Sequence, residues 1–207
     1  MKQPYTFLAL GDSYTIGELV PEAENFPNQV ASMLRQQGIA MADPRIIAKT
    51  GWTTDELEQG IRSANDNEPL FSQYDMVTLL IGVNDQYRGR TAKNYREGFV
   101  GLLEKALKYA GNKKNRVAVI SIPDWGITPF AKGRDRQQIT REIDEYNAIN
   151  REETLKKGIH YIYITEWTRE AVTDNTLLAT DGLHPSGREY QRWAEAIAAT
   201  FRAEFTV

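Results

Sequence analysis

Five short stretches of the chain carry groups that could do chemistry. They are Gly11-Asp12-Ser13-Tyr14, Thr50-Gly51-Trp52, Gly82-Val83-Asn84-Asp85, Pro123-Asp124-Trp125-Gly126 and Asp181-Gly182-Leu183-His184-Pro185. Together they offer a hydroxyl, glycine backbone, a carboxamide, carboxylates and an imidazole. Those are the parts of acyl transfer by an activated hydroxyl: a nucleophile, donors for an oxyanion, a base and a group to orient the base. Each stretch also has a plain structural reading. Gly-Asp-Ser is ordinary turn composition, Gly51 suits a turn, Asn84-Asp85 could cap a following segment, and Asp181-Gly182 is a common turn pair. Read one at a time, none would stand out. Their order does, because each follows a run that reads as a strand.

The rest of the composition narrows the chemistry. Among 207 residues there are two histidines and no cysteine. That excludes thiolate nucleophiles, disulfides and thiolate metal sites, and it leaves too few imidazoles for a multi-histidine metal centre. No metal and no organic cofactor are expected. His160 falls inside a strand pattern and reads as structural, so His184 is the only candidate base. With 25 Lys and Arg against 28 Asp and Glu, the net charge is −3, which argues against a nucleic-acid partner. No apolar run approaches the roughly 18 residues that a membrane span requires, so membrane insertion is not expected. The N-terminal apolar run is too short for a signal peptide, and the expectation is a cytoplasmic protein unless a leader has been trimmed.

The elements that must position these groups alternate regularly. Strands are expected at Tyr5–Leu10, Arg45–Lys49, Met76–Val83, Arg116–Ile122 and Ile159–Thr165. Helices are expected at about Phe26–Gln37, Thr53–Ala64, Ala92–Ala110, Gln137–Lys157 and Pro185–Phe201. In the third helix Tyr95, Phe99, Leu102, Leu103, Ala106, Leu107 and Ala110 fall on one face, and in the last Tyr190, Trp193, Ala194, Ile197, Ala198 and Phe201 do the same. Thr53 followed by Glu56 fits a capping box. Strand–helix alternation gives a parallel sheet covered on both faces, in one domain spanning residues 1–207, with Ala64–Pro69 as a polar loop. In such a sheet ligands bind beyond the carboxyl ends of the strands, where the five stretches lie.

On these residues the chain resembles the GDSL or SGNH hydrolases, a family of serine esterases and lipases. The blocks that carry the likeness are Gly11-Asp12-Ser13, Gly51, Gly82-Val83-Asn84-Asp85 and Asp181-Gly182-Leu183-His184, in the family's order. Tyr14 stands where the family's nickname has leucine. The resemblance implies a three-layer α/β/α, flavodoxin-like fold with a five-stranded parallel sheet. It also implies Ser13 as nucleophile, His184 as base, Asp181 as its orienter, and an oxyanion hole from the Ser13 and Gly51 N–H groups and the Asn84 side chain. The substrate would be a small-molecule carboxylic ester of small to medium acyl length. Lysophospholipids, thioesters and acetylated carbohydrates are the alternatives within the family. Tyr14, Trp52, Tyr87 and Trp125 are candidates to line the substrate pocket, and Arg88 and Arg90 could meet an anionic leaving group. An alternative of another class is a flavodoxin-like FMN-binding electron carrier, although Ile16 between Thr15 and Gly17 spoils its phosphate-loop spacing and Asp181 and His184 would then have no task. No apolar face stands out to set an oligomeric state.

Overall fold

A strand buried on both faces can be almost wholly apolar, and the central strands here are, with Thr78 and the terminal Asp12 as polar exceptions. In the computed structural model, which describes residues 3–205, these are β1 (Phe7–Asp12), β2 (Arg45–Lys49), β3 (Met76–Leu80), β4 (Val117–Ile120) and β5 (His160–Ile162). They form one parallel sheet in the order β2-β1-β3-β4-β5. β1, β3 and β4 are buried along their whole length. The helices are α1 (Ser13–Ile16), α2 (Phe26–Gln36), α3 (Thr54–Asn67), α4 (Val83–Tyr87), α5 (Ala92–Tyr109), α6 (Arg136–Lys156), α7 (Thr165–Arg169) and α8 (Gly187–Phe205). α2 packs on α8 against one face of the sheet, and α3, α5 and α6 pack in sequence against the other. The expected three-layer α/β/α architecture is borne out.

Several boundaries differ from the sequence expectation, each for a local reason. β1 starts at Phe7 and runs on to Asp12, because its register with β2 continues to Asp12 opposite Lys49 while Tyr5 bridges Met41 instead. β3 stops at Leu80, because Gly82 takes φ +131, which ends the strand and lets Val83 open α4. α3 continues through the polar stretch expected to be a loop and ends at Asn67, before Glu68-Pro69. Its capping box is present: Thr53 N–H donates to Glu56 at 2.9 Å. β5 is shorter than expected, and Thr165 begins α7 rather than ending the strand. Pro185 precedes α8 instead of lying in its first turn, since it forms an antiparallel bridge with Leu178.

The chain leaves β1 outward to β2 and then crosses to β3 on the other side. The strand order therefore reverses between β1 and β3, and a crevice opens beyond their carboxyl ends. Ser13 follows β1 and Gly82 to Asn84 follow β3, so both stretches flank that crevice.

Candidate active site

Ser13 is the first residue of α1 and is almost completely buried. Asp12 caps that turn, its Oδ1 accepting the Tyr14 N–H at 3.0 Å. The other Asp12 oxygen is buried with no hydrogen-bond partner among the described residues, and burial pushes this carboxyl from 3.8 to about 8. Burial thus favours the neutral form of this cap beside the Ser13 hydroxyl.

The last loop brings the second half of the site. His184 Nε2 lies 3.0 Å from Ser13 Oγ, and Nδ1 lies 2.6 Å from Asp181 Oδ2. Against a carboxylate Nδ1 carries the proton, which leaves Nε2 as acceptor for the Ser13 O–H. Asp181 Oδ1 in turn accepts the Leu183 and His184 N–H groups, both at 3.0 Å. Burial pulls the Asp181 carboxyl up, but the imidazole and these two amides outweigh it and hold it below the usual carboxylate range. The loop is tied back to the fold by Ala179 N–H donating to His184 O at 2.7 Å and Phe130 N–H to Gly182 O at 3.2 Å. Tyr14 packs behind the imidazole with its ring centroid 5.4 Å away.

The remaining side of the site is built from the turn after β2 and from α4. Gly51 takes φ +83, a conformation that side chains disfavour, and it lines the cavity above Ser13. Asn84 Nδ2 donates one hydrogen to Trp52 O at 2.9 Å, and Arg88 Nη2 donates to Gly51 O at 2.6 Å. α4 and its C-cap residue thus hold two successive carbonyls of the turn. A carboxamide has two N–H donors, so Asn84 retains one for a ligand. Asp85 fixes α4 from below, accepting the Thr54 N–H at 3.0 Å and the Thr54 hydroxyl at 2.8 Å. Burial raises the Asp85 carboxyl despite these bonds. Gly82 lets the β3 end pass close under α5, since a Cβ there would stand 2.5 Å from the Tyr95 ring.

A cavity of about 220 Å³ opens on these groups, with Ser13, Gly51, Asn84 and His184 at its polar end. Its apolar wall includes Tyr87, Trp125 and Phe130, with Tyr87 5.3 Å from Trp125 and Trp125 6.0 Å from Phe130 between ring centroids. Gln86 anchors the wall by accepting the Trp125 indole N–H at 2.7 Å. Trp52, expected in the pocket, turns away: its ring lies on α3, where a Cβ at Gly60 would meet it at 2.1 Å. Only its carbonyl serves the site. The arginines expected to be available for an anion are otherwise engaged, Arg88 with Gly51 and Glu56, Arg90 with Asp55 and Asp85. Phe130 was missed from sequence; the one readable signal was an aromatic residue in the long connection between β4 and α6. His160 lies in β5, its ring 6.2 Å from that of Phe201 and away from the cavity. Among the described residues, no group of three or more His, Asp or Glu side chains is gathered as a metal would require.

The model of the GDSL-like lipase/acylhydrolase family matches residues 9–192. The chain belongs to that family. It is an ester hydrolase by that membership, and the match runs from β1 into α8. No relative is found among curated proteins. Solved structures share the fold at low identity. The lipase/acylhydrolase from Enterococcus faecalis is similar at TM-score 0.75 and 20% identity, covering 98% of this chain and 97% of that one. The psychrotrophic esterase EstA from Pseudoalteromonas sp. is similar at TM-score 0.70 and 14% identity, covering 98% and 100%. AlinE4, an SGNH-hydrolase family esterase, is similar at TM-score 0.67 and 20% identity, with full coverage of both chains. The FMN-carrier alternative finds no support in these likenesses.

Proposed function

We propose that this GDSL-family hydrolase cleaves small to medium carboxylic esters through an acyl-enzyme formed on Ser13. His184 takes the Ser13 proton as the oxygen attacks the ester carbonyl, then returns it to the departing alcohol. Asp181 holds the imidazole in the required tautomer and stabilises the imidazolium. The Ser13 and Gly51 N–H groups and the free Asn84 N–H receive the oxyanion. Water, activated by His184, then releases the acid.

The observation that carries this reading is the unbroken hydrogen-bond chain from Asp181 through His184 to Ser13 at the floor of a cavity. The Ser13 N–H supports the oxyanion role, because the first amide of a helix has no intrahelical partner. The preference for small to medium acyl chains is supported by the cavity, whose 220 Å³ lies below the roughly 300 Å³ at which drug-sized pockets begin. Hydrolysis of a p-nitrophenyl series from acetate to palmitate tests the proposal. Rates should be greatest among the short chains and fall steeply beyond them, and Ser13→Ala should lower kcat by about 10⁴ or more. A Ser13→Ala enzyme keeping a tenth of the wild-type rate would overturn it.

A further inference from the structure

Against the aromatic wall of the cavity lies an exposed cation that the proposed chemistry does not use. The Arg134 guanidinium lies 4.8 Å from the Tyr87 ring centroid and 5.3 Å from that of Trp125, and its Nη2 donates to the Tyr87 hydroxyl at 2.8 Å. Both rings line the cavity beside Ser13. Among the described residues no carboxylate pairs with Arg134, unlike Arg88 and Arg90 nearby. Neighbouring Asp135 is occupied, its carboxylate accepting the Gln138 N–H at 2.9 Å as the cap of α6. Exposed Lys132 adds a second positive charge to the same loop. A guanidinium has five N–H donors in a rigid fork, and the Tyr87 hydroxyl uses one. Held against two rings and bonded to the Tyr87 hydroxyl, the fork is already oriented, so little side-chain freedom is lost when it meets an acceptor.

We propose that Arg134 is a specificity-determining residue, and that the preferred ester carries an anionic group which Arg134 receives at the cavity rim while the Tyr87–Trp125–Phe130 wall contacts the apolar part between. The inference rests on the ester-hydrolase reading above and names its substrate class. The charge sits either on the acyl chain or on the alcohol, and two arms separate these. The acyl arm compares mono-p-nitrophenyl succinate with p-nitrophenyl butyrate. The alcohol arm compares 4-acetoxybenzoate with phenyl acetate.

In each arm the quantity is kcat/KM for the charged ester divided by that for the neutral one, in the wild type and in Arg134→Gln. Exposure of Arg134 limits the effect to the scale of a surface ion pair, so the ratio should fall about fivefold in one arm. Neutral esters should change less than twofold, Arg134→Lys should recover part of the loss, and high salt should erase the wild-type preference. Ratios unchanged in both arms would overturn the inference. Equal losses on charged and neutral esters would also overturn it, by showing that Arg134 only props the wall. If the wild type hydrolysed none of the four esters, charged or neutral, the ester-hydrolase reading itself would fail and the inference with it.

Discussion

Replacing Asp181 by asparagine probes the base through its tautomer. Both carboxylate oxygens are assigned: Oδ1 takes two backbone N–H groups at 3.0 Å, and Oδ2 takes Nδ1–H at 2.6 Å. Asparagine has the same shape but one oxygen. Turning its NH₂ towards the two amides would leave two donors facing donors, whereas turning it towards the imidazole sets it against one. The amides therefore keep the oxygen, and His184 meets an N–H donor. Nδ1 must then accept, the ring proton moves to Nε2, and the nitrogen 3.0 Å from Ser13 Oγ becomes a donor instead of a base. Loss of the correct tautomer in a Ser-His-carboxylate site costs about 10⁴ in kcat, or about 5.5 kcal/mol of transition-state stabilisation. Steady-state kinetics on p-nitrophenyl butyrate provide the assay, with thermal unfolding as a check that the variant is folded. KM should move little, because Asp181 does not line the cavity. A folded Asp181→Asn enzyme within tenfold of the wild-type kcat would refute the argument.

Asn84→Ala should lower kcat by about 10² to 10³ with little change in KM, since it removes one of the proposed oxyanion donors, and an equal loss in binding alone would argue against that role. Gly82→Ala should lower stability by a few kcal/mol, because a Cβ at φ +131 would stand 2.5 Å from the Tyr95 ring, and denaturant titration measures it. Asp12 predicts a pH dependence of stability. Its carboxyl rises from 3.8 to about 8 on folding, so between those values the folded chain binds more protons than the unfolded one. Stability should then fall as pH rises from about 4 to 8, with buried Asp85 and Glu189 acting in the same direction. Calorimetry at pH 5.5 and 8.5 should show a drop in wild-type Tm that shrinks in Asp12→Asn, which keeps the cap oxygen and cannot ionise; an equal drop in both proteins would exclude Asp12 as its source.

What could be read from the chain was whatever depends on local pattern. The apolar runs gave the strands, the Thr53–Glu56 pair marked the start of α3, and the turns after the strands held the polar groups that now meet around Ser13. The misses are of two kinds. α1, α4 and α7 are one or two turns long, too short for a helical period to show above turn composition. Trp52, Phe130 and Arg134 depend on where a side chain points in space. Trp52 neighbours Gly51 in sequence, yet its ring packs on Gly60, while Phe130 and Arg134 reach the wall through a connection whose path no periodicity describes. Arg88 shows the same limit: its charge was visible, but its bond to the Gly51 carbonyl was not.

The contact between Ser13 and His184 joins residues 171 positions apart. A contact of that separation closes a long loop, and pairing of the intervening strands offsets the entropic cost of bringing the two residues together. β1 sits between β2 and β3 and is complete only after both have docked, and the His184 loop is tied down by a bridge between Leu178 and Pro185 that follows β5. A partly assembled chain would hold the hydroxyl without the imidazole. On the proposed mechanism, hydrolysis therefore requires β1 and the loop after β5 to be docked together, and regain of activity on refolding reports that they have met.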